Sequence, residues 1–171
     1  PYTCGRSRSR AFEDVLMEAG FSAARGHREI VLTGVNLGEY QSGGRDLVDL
    51  IRALEEIDSL ARIRISSIEP TTISGDLLAL MSTSKKLCTY LHLPLQSGSD
   101  RILSDMDRRY SRQDYMDFVK KAFTQVPNLG LGTDVLLGFP GEDETAFQET
   151  VSLLKMLPFS HLHVFPDSRR N

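Results

Sequence analysis

The stretch TDVLLGFPGEDETAF, Thr133 to Phe147, decides how the rest of the chain is read. An apolar run from Val135 to Leu137 stops at Gly138 and turns through Phe139, Pro140 and Gly141. Glu142, Asp143 and Glu144 then head an amphipathic pattern. That order predicts a buried strand feeding a helix. The same order recurs in EIVLTGVNLGEY (29–40), RIRISSIEPTTISGD (62–76) and TYLHLPLQSGSD (89–100). Strands alternating with helices imply an α/β fold with a parallel sheet. Ligands of such sheets sit at the carboxyl ends of the strands, where these polar turns collect.

The length of 171 residues allows one domain with a real core, and 40% apolar with 25% charged residues is ordinary globular composition. Twenty basic against 23 acidic side chains exclude a globally basic nucleic-acid binder while permitting a local basic patch. No apolar run approaches the roughly 20 residues of a membrane helix, and no secretory signal pattern opens the chain. The sequence reads as cytosolic, with no membrane partner.

Two cysteines, Cys4 and Cys88, lie 84 positions apart with no CxxC spacing. Neither a disulfide nor a metal site is expected of them, and Cys88 is read as a buried residue at a strand start. PYTCGRSRSR opens with no helix or strand start of its own, and HVFPDSRRN stops directly after a strand. The expectation is a piece of a longer polypeptide.

In chain order the patterns predict helices at about 11–26, 46–58, 75–84, a short one ending near Met106, 112–126 and 143–157. Strands are expected at about 29–34, 62–68, 90–95, 131–137 and 160–165. Phe12, Val15, Leu16, Ala19 and Ala23 form the apolar face of the first helix. Asn36 to Gly44 reads as a polar loop, Asp46 as a helix cap and Ser97 as the cap of the short helix. Gly130, Gly132 and Val135 imitate part of a dinucleotide fingerprint, but the third glycine is missing and the glycines precede a strand. No P-loop Gly-Lys-Ser/Thr appears.

His161 and His163 share one face of a strand, a spacing two metal ligands can use; without a third ligand nearby in sequence they read as packing or hydrogen-bonding groups. His92 alternates with Leu91 and Leu93 and faces either a barrel interior or solvent. The polar residues at strand ends form a fuller set: Thr33 and Asn36, then Ser66, Ser67 and Glu69, then Gln96 and Ser97, then Asp134 before Gly138. On neighbouring parallel strands they would converge on one rim and offer hydroxyls, an amide and carboxylates to a zwitterionic or ribose-bearing ligand. Each alone reads equally well as a cap or turn residue.

TGVNLGEY, RIRISSIEP, LHLPLQSGSDRILSDMDRRY, TDVLLGFPGE and LHVFP, in this order and spacing, resemble the central domain of the radical S-adenosylmethionine (SAM) methylthiotransferases, the MiaB-like family. The likeness covers essentially all 171 residues. TGVNLGEY with RISSIEP looks most like the branch that methylthiolates N6-threonylcarbamoyladenosine next to the tRNA anticodon. Other branches act on isopentenyladenosine or a ribosomal-protein aspartate.

The resemblance implies a partial open (β/α)6 radical SAM barrel lacking its first strand and cluster loop, with outer helices. Residues 1–171 would form a single truncated core domain, without the N-terminal cluster domain and the C-terminal TRAM domain. It implies two 4Fe-4S clusters in the full-length protein, their ligands not in this chain, together with SAM and a tRNA anticodon stem-loop. An electron donor and a sulfur donor are implied partners. PYTCGRSRSR matches the segment after the CxxxCxxC loop, with Cys4 where the family has an arginine, so the fragment alone is expected to be inactive. Asp167 departs from the common FPYS.

Carried over, Thr33 and Gly34 would meet the SAM amino group through backbone, and Ser67 and Glu69 its carboxylate and amino end or the substrate. Gln96 and Ser97 would face the ribose, Asp134 would orient a neighbour, and Gly138 with Phe165 would border the adenine. No catalytic side chain is implied. Met106, Arg108 and Tyr110 match the family's M-x-R-x-Y signature. Its arginine, with Arg6, Arg8, Arg10, Arg109, Arg112, Arg169 and Arg170, would form a basic rim for tRNA phosphates, or else solvated helix ends. Two further readings compete: a non-catalytic RNA-binding or assembly scaffold of the same ancestry, and an unrelated barrel enzyme for a phosphate or sugar substrate.

Overall fold

The computed structural model describes residues 8–168. The chain divides into two compact units, one ending at Thr89 and the other beginning at Tyr90.

In the first unit, α1 (Phe12–Ala24) buries Phe12, Ala19 and Ala23, with Val15 and Leu16 half-buried, as the spacing predicts. It ends where Gly26 takes φ +94°, a backbone a side chain rarely adopts. β1 (Glu29–Leu32) pairs parallel with β4 (Arg62–Ile65), from Glu29 opposite Arg62 to Leu32 opposite Ile65. Between them the expected polar loop holds a 3-10 turn (Leu37–Glu39) and a two-residue hairpin, β2 (Gln41–Ser42) with β3 (Arg45–Asp46). Gly43 and Gly44, at φ +59° and +80°, supply its turn. So short a hairpin has no alternating pattern to read. Tertiary contacts hold it: Phe12 N–H donates to Ser42 Oγ at 3.0 Å, and the Arg45 guanidinium lies 3.7 Å over the Phe12 ring.

α2 (Leu47–Glu55) starts at a capping box, with Asp46 accepting from Asp49 N–H at 3.0 Å and Asp49 from Asp46 N–H at 3.1 Å. Asp46→Ala is expected to cost about 1 kcal/mol, measured by urea unfolding. Ile51, Leu54, Ile63, Leu77, Leu78 and Met81 are essentially inaccessible, so α2, β4 and α3 (Gly75–Thr83) build this unit's core.

The second unit is a three-stranded parallel sheet in the order β5 (Tyr90–His92), β6 (Gly130–Leu137), β7 (His161–Pro166). α4 (Asp100–Asp105) and α5 (Arg112–Gln125) connect β5 to β6, and α6 (Glu144–Met156) connects β6 to β7. β5 ends at His92, short of the expected Leu95, although Leu93 N–H still donates to Gly132 C=O and Leu95 N–H to Asp134 C=O.

A buried polar plug reinforces that stretch. Thr133 Oγ1 donates to Leu93 C=O at 2.7 Å and accepts Leu95 N–H at 2.9 Å, while Tyr115 Oη donates to the same carbonyl at 2.8 Å. Burial pushes the Tyr115 hydroxyl far above the usual tyrosine range, while its bond with Thr133 works the other way. Leu91, Leu93, Leu131 and Val135 are buried on this side of the sheet. The cap of α4 is Ser99, a correction to the expected Ser97, and no side-chain hydrogen bond caps that helix.

Candidate functional site

At the carboxyl end of the first unit's sheet, Thr33 and Gly34 follow β1 and are exposed; Ser67 and Glu69 follow β4, the first exposed and the second half-buried. Parallel pairing puts all four at one end of their unit. Gly38 lets the turns after the two strands meet, because a Cβ there would lie 2.1 Å from Thr72 Oγ1 and 2.9 Å from its carbonyl oxygen. Asn36 Oδ1, in the same turn, is buried with no hydrogen-bond partner. An orphan acceptor costs stability. It suits a ligand that brings a donor.

In the second unit, Gln96 follows β5 with φ +65°, an unusual backbone for a residue with a side chain. Its N–H donates to Asp134 C=O at 2.8 Å and its C=O accepts Leu136 N–H at 2.9 Å, so the residue is locked to β6. Gly138 ends β6 at φ +75°, and its N–H donates to Glu142 Oε2 at 2.5 Å, leaving Glu142 Oε1 buried and unpartnered. Glu142 was not singled out from the sequence; only its place in Gly-Phe-Pro-Gly-Glu signalled it. Phe165, 49% exposed, stands opposite Leu136 on β7.

Ser97 lies elsewhere. It is fully buried, 3.3 Å from Thr150 Oγ1, and accepts Ser99 N–H at 3.2 Å, so its hydroxyl serves the docking of this loop on α6.

The other face of the sheet carries a polar row. His92 Nε2 is 2.9 Å from Asp134 Oδ1, His163 Nδ1 is 3.4 Å from the same oxygen, and His161 Nε2 is 2.8 Å from His163 Nε2. His161 and His163 thus do acquire neighbours with ligating atoms, from strands distant in sequence. The donor atoms of His92, Asp134 and His163 all lie within 4.8 Å of one another, a spacing three ligands of one ion can adopt.

Of the arginines, Arg8 and Arg109 are exposed and Arg10 pairs with Glu18. Arg108 is half-buried. Arg112 donates to the carbonyls of Gly98 and Glu149, a structural use of its guanidinium. Tyr110 of the M-x-R-x-Y signature is buried and donates to Pro94 C=O at 2.8 Å. Arg6, Arg169, Arg170 and Cys4 lie outside the described residues. A cleft of about 300 Å³ between the starts of α4, α5 and α6 holds Arg101, bonded to Asp143 and to Gly141 C=O. No helix among the described residues is long and apolar enough to cross a membrane.

Within each unit, parallel strands followed by polar turns and helices define an α/β protein, a class whose ligands sit at the carboxyl ends of the strands. The chain belongs to the radical SAM superfamily, whose family model matches residues 1–154. It is 42% identical to the threonylcarbamoyladenosine tRNA methylthiotransferase MtaB of Chlamydia pneumoniae, over 99% of this chain and 40% of that protein. It is 40% identical to a tRNA-2-methylthio-N(6)-dimethylallyladenosine synthase of Clostridium perfringens, over 100% of this chain and 39% of that one. The chain therefore spans about two fifths of the length of these relatives.

Among solved structures it is similar to the radical SAM methyltransferase TsrM of Kitasatospora setae, with TM-score 0.74 at 16% identity, covering 94% of this chain and 32% of that one. Coproporphyrinogen III oxidase (HemN) of Escherichia coli gives TM-score 0.68 at 15% identity, over 99% of this chain and 41% of the other. Both likenesses are of fold. Membership of the superfamily implies SAM and a 4Fe-4S cluster as cofactors. Two cysteines cannot supply the three thiolates of a CxxxCxxC loop, so these 171 residues do not fit the cluster by themselves. SAM's ammonium, ribose hydroxyls and adenine amino group are donors, and each unit by itself holds an orphan oxygen of the kind that accepts from such a group, Asn36 Oδ1 in the first and Glu142 Oε1 in the second.

Proposed function

We propose that this chain is the SAM-binding core of a tRNA methylthiotransferase that adds a methylthio group to C2 of N6-threonylcarbamoyladenosine beside the anticodon. The observation that carries the reading is identity of 42% and 40% to two tRNA methylthiotransferases over 99% and 100% of the chain. Those two relatives differ in the adenosine they are named for. The preference for threonylcarbamoyladenosine rests on TGVNLGEY and RISSIEP.

In this reading SAM supplies a radical and a methyl group when bound, and the protein's part is to hold it. Thr33 and Gly34 present backbone to its amino end; Ser67 and Glu69 lie beside them in the same unit. Gln96 and Glu142 present acceptors to ribose or adenine, and Gly138 allows a close backbone approach. Cluster binding, for up to two clusters, would fall to polypeptide outside the 171 residues. The anticodon stem-loop would meet exposed arginines such as Arg8 and Arg109, and electrons and sulfur would come from external donors.

The test is mass spectrometry of tRNA nucleosides after disruption of the gene. Loss of the 2-methylthio group from threonylcarbamoyladenosine is expected. Loss from isopentenyladenosine would move the protein to the other branch, and an unchanged nucleoside profile would end the methylthiotransferase reading.

Gly138→Val in the complete gene product is expected to lower SAM affinity about tenfold, because φ +75° costs a substituted residue about 1–2 kcal/mol and the turn rotates to relieve it. Gln96→Gly keeps the backbone and removes the amide, so a smaller loss separates the side chain's part from the turn's. Calorimetry that finds both variants binding SAM like the parent would remove these two turns from the site.

A further inference from the structure

We propose that His92, Asp134 and His163 form a mononuclear site for a borderline divalent cation of the zinc or iron(II) class, on the face of the β5–β7 sheet opposite the Thr133 plug. The proposal requires neither SAM nor tRNA and goes beyond the function proposed above.

Register places the three donors. Asp134 stands directly opposite His163 on β7, while Gly132 stands opposite His92 on one side and His161 on the other. Alternation along each strand puts His92, Gly132, Asp134, His161 and His163 on one face. Gly132 makes the room: a Cβ there would lie 2.8 Å from His92 Nδ1 and 2.0 Å from Tyr90 Oη.

The distances suit coordination. Nitrogen and carboxylate ligands bind zinc at roughly 2.0–2.2 Å, so neighbouring ligand atoms are about 3.0–3.5 Å apart. His92 Nε2 and His163 Nδ1 are 2.9 and 3.4 Å from Asp134 Oδ1. Two imidazoles and a carboxylate favour zinc or iron(II) over magnesium or calcium, which prefer all-oxygen shells. Three protein ligands leave a position open to water or substrate. The exposures of 12% for His92, 19% for Asp134 and 53% for His163 give a site sheltered on two sides and open on the third.

Both imidazoles also have their outer nitrogen engaged, His92 Nδ1 at 3.4 Å from Tyr90 Oη and His163 Nε2 at 2.8 Å from His161 Nε2. Ligating histidines are oriented by such outer partners. The arrangement makes opposite demands in its two chemical forms. With a cation bound, the ring protons lie outward, on His92 Nδ1 and His163 Nε2, and the inner lone pairs bind metal. Without one, the same two inner nitrogens face the Asp134 carboxylate oxygen at 2.9 and 3.4 Å, where inward ring protons are the favoured form.

The test uses the purified chain. Titration with Co²⁺ followed by its d–d absorption, and with Zn²⁺ by calorimetry, is expected to show one saturable equivalent. Asp134→Asn and His163→Ala should each lower affinity more than the roughly tenfold expected of losing an outer partner such as His161. His27→Ala, outside the cluster, should change nothing, and far-UV circular dichroism checks that each variant is folded. Nitrogen-15 spectra of the zinc-loaded chain should show the ring protons on His92 Nδ1 and His163 Nε2. Absence of saturable binding, binding that survives both ligand substitutions, or inward ring protons in the presence of zinc would each overturn the proposal. Loss of methylthiolated tRNA in the gene disruption together with no metal binding would sink this proposal and leave the proposed function standing.

Discussion

Gly98→Ala is expected to destabilise the second unit more than any other single methyl group added to it. A Cβ at Gly98 would lie 2.6 Å from Thr150 Cα, 2.9 Å from Glu149 O and 3.0 Å from Thr150 N. All three are backbone atoms of α6, so no side chain can rotate away and the loop must leave the helix. Overpacking costs about 1–3 kcal/mol when side chains can adjust, and the upper end is expected here. The change also breaks the bond from Gly98 N–H to Thr150 Oγ1, 2.8 Å, and frees the Ser97 hydroxyl beside it. Because Gln96 adjoins this anchor, its left-handed backbone is expected to relax too. Urea unfolding measures the effect, with Gly75→Ala as the contrast: nothing lies within 4 Å of a Cβ at Gly75, so that change should be neutral or mildly stabilising. Equal stabilities of the two variants would contradict the close approach.

Thr133→Val should come next in size. Valine matches the shape of threonine but can neither accept Leu95 N–H nor donate to Leu93 C=O, and the site is fully buried. Leu95 N–H keeps a longer bond to Asp134 C=O at 3.2 Å and Leu93 C=O keeps the Tyr115 hydroxyl, so neither group is orphaned, and the loss expected is that of two hydrogen bonds at about 0.5–1.5 kcal/mol each. Tyr115→Phe should cost less, about 0.5–1.5 kcal/mol, because Leu93 C=O keeps its bond from Thr133. The double variant should lose more than the sum of the two, since only then is the carbonyl left with neither hydroxyl. Additive losses would mean that the two hydroxyls do not share that acceptor.

Much of the second unit was legible because its signals are local. The run Val135 to Leu137, the stop at Gly138 and the acidic start of α6 lie within fifteen residues, and the structure places strand, turn and helix there. Asp46 was readable as a cap for the same reason, since a cap bonds within three residues of itself. Ser97 and Ser99 both read as candidate caps from the sequence, and Ser99 is the one at the cap position of α4. Ser97 and Ser99 offer the same local chemistry, and what separates them is Thr150, more than fifty residues away on α6. The hairpin at Gln41–Asp46 escaped because each strand has two residues, too few for alternation, and its stability comes from α1.

The polar row shows the same divide. His161 and His163 were visibly on one face of a strand, and His92 visibly alternated with leucines. That Asp134 stands between them follows from the register of β6 with both neighbours, which no local pattern encodes.

By itself the sequence determined the alternation of strand and helix, the sites of the strand-end turns and the radical SAM kinship, because hydrophobic period, turn chemistry and motif spacing act over a few residues at a time. The tertiary structure alone decided which hydroxyls are buried as ladder repairs, which acceptors are left unpaired at the turns and which histidines share a carboxylate. Those outcomes depend on strand register and on helices packed from far along the chain, where a one-residue slip would turn His92, Asp134 or His163 to the opposite face.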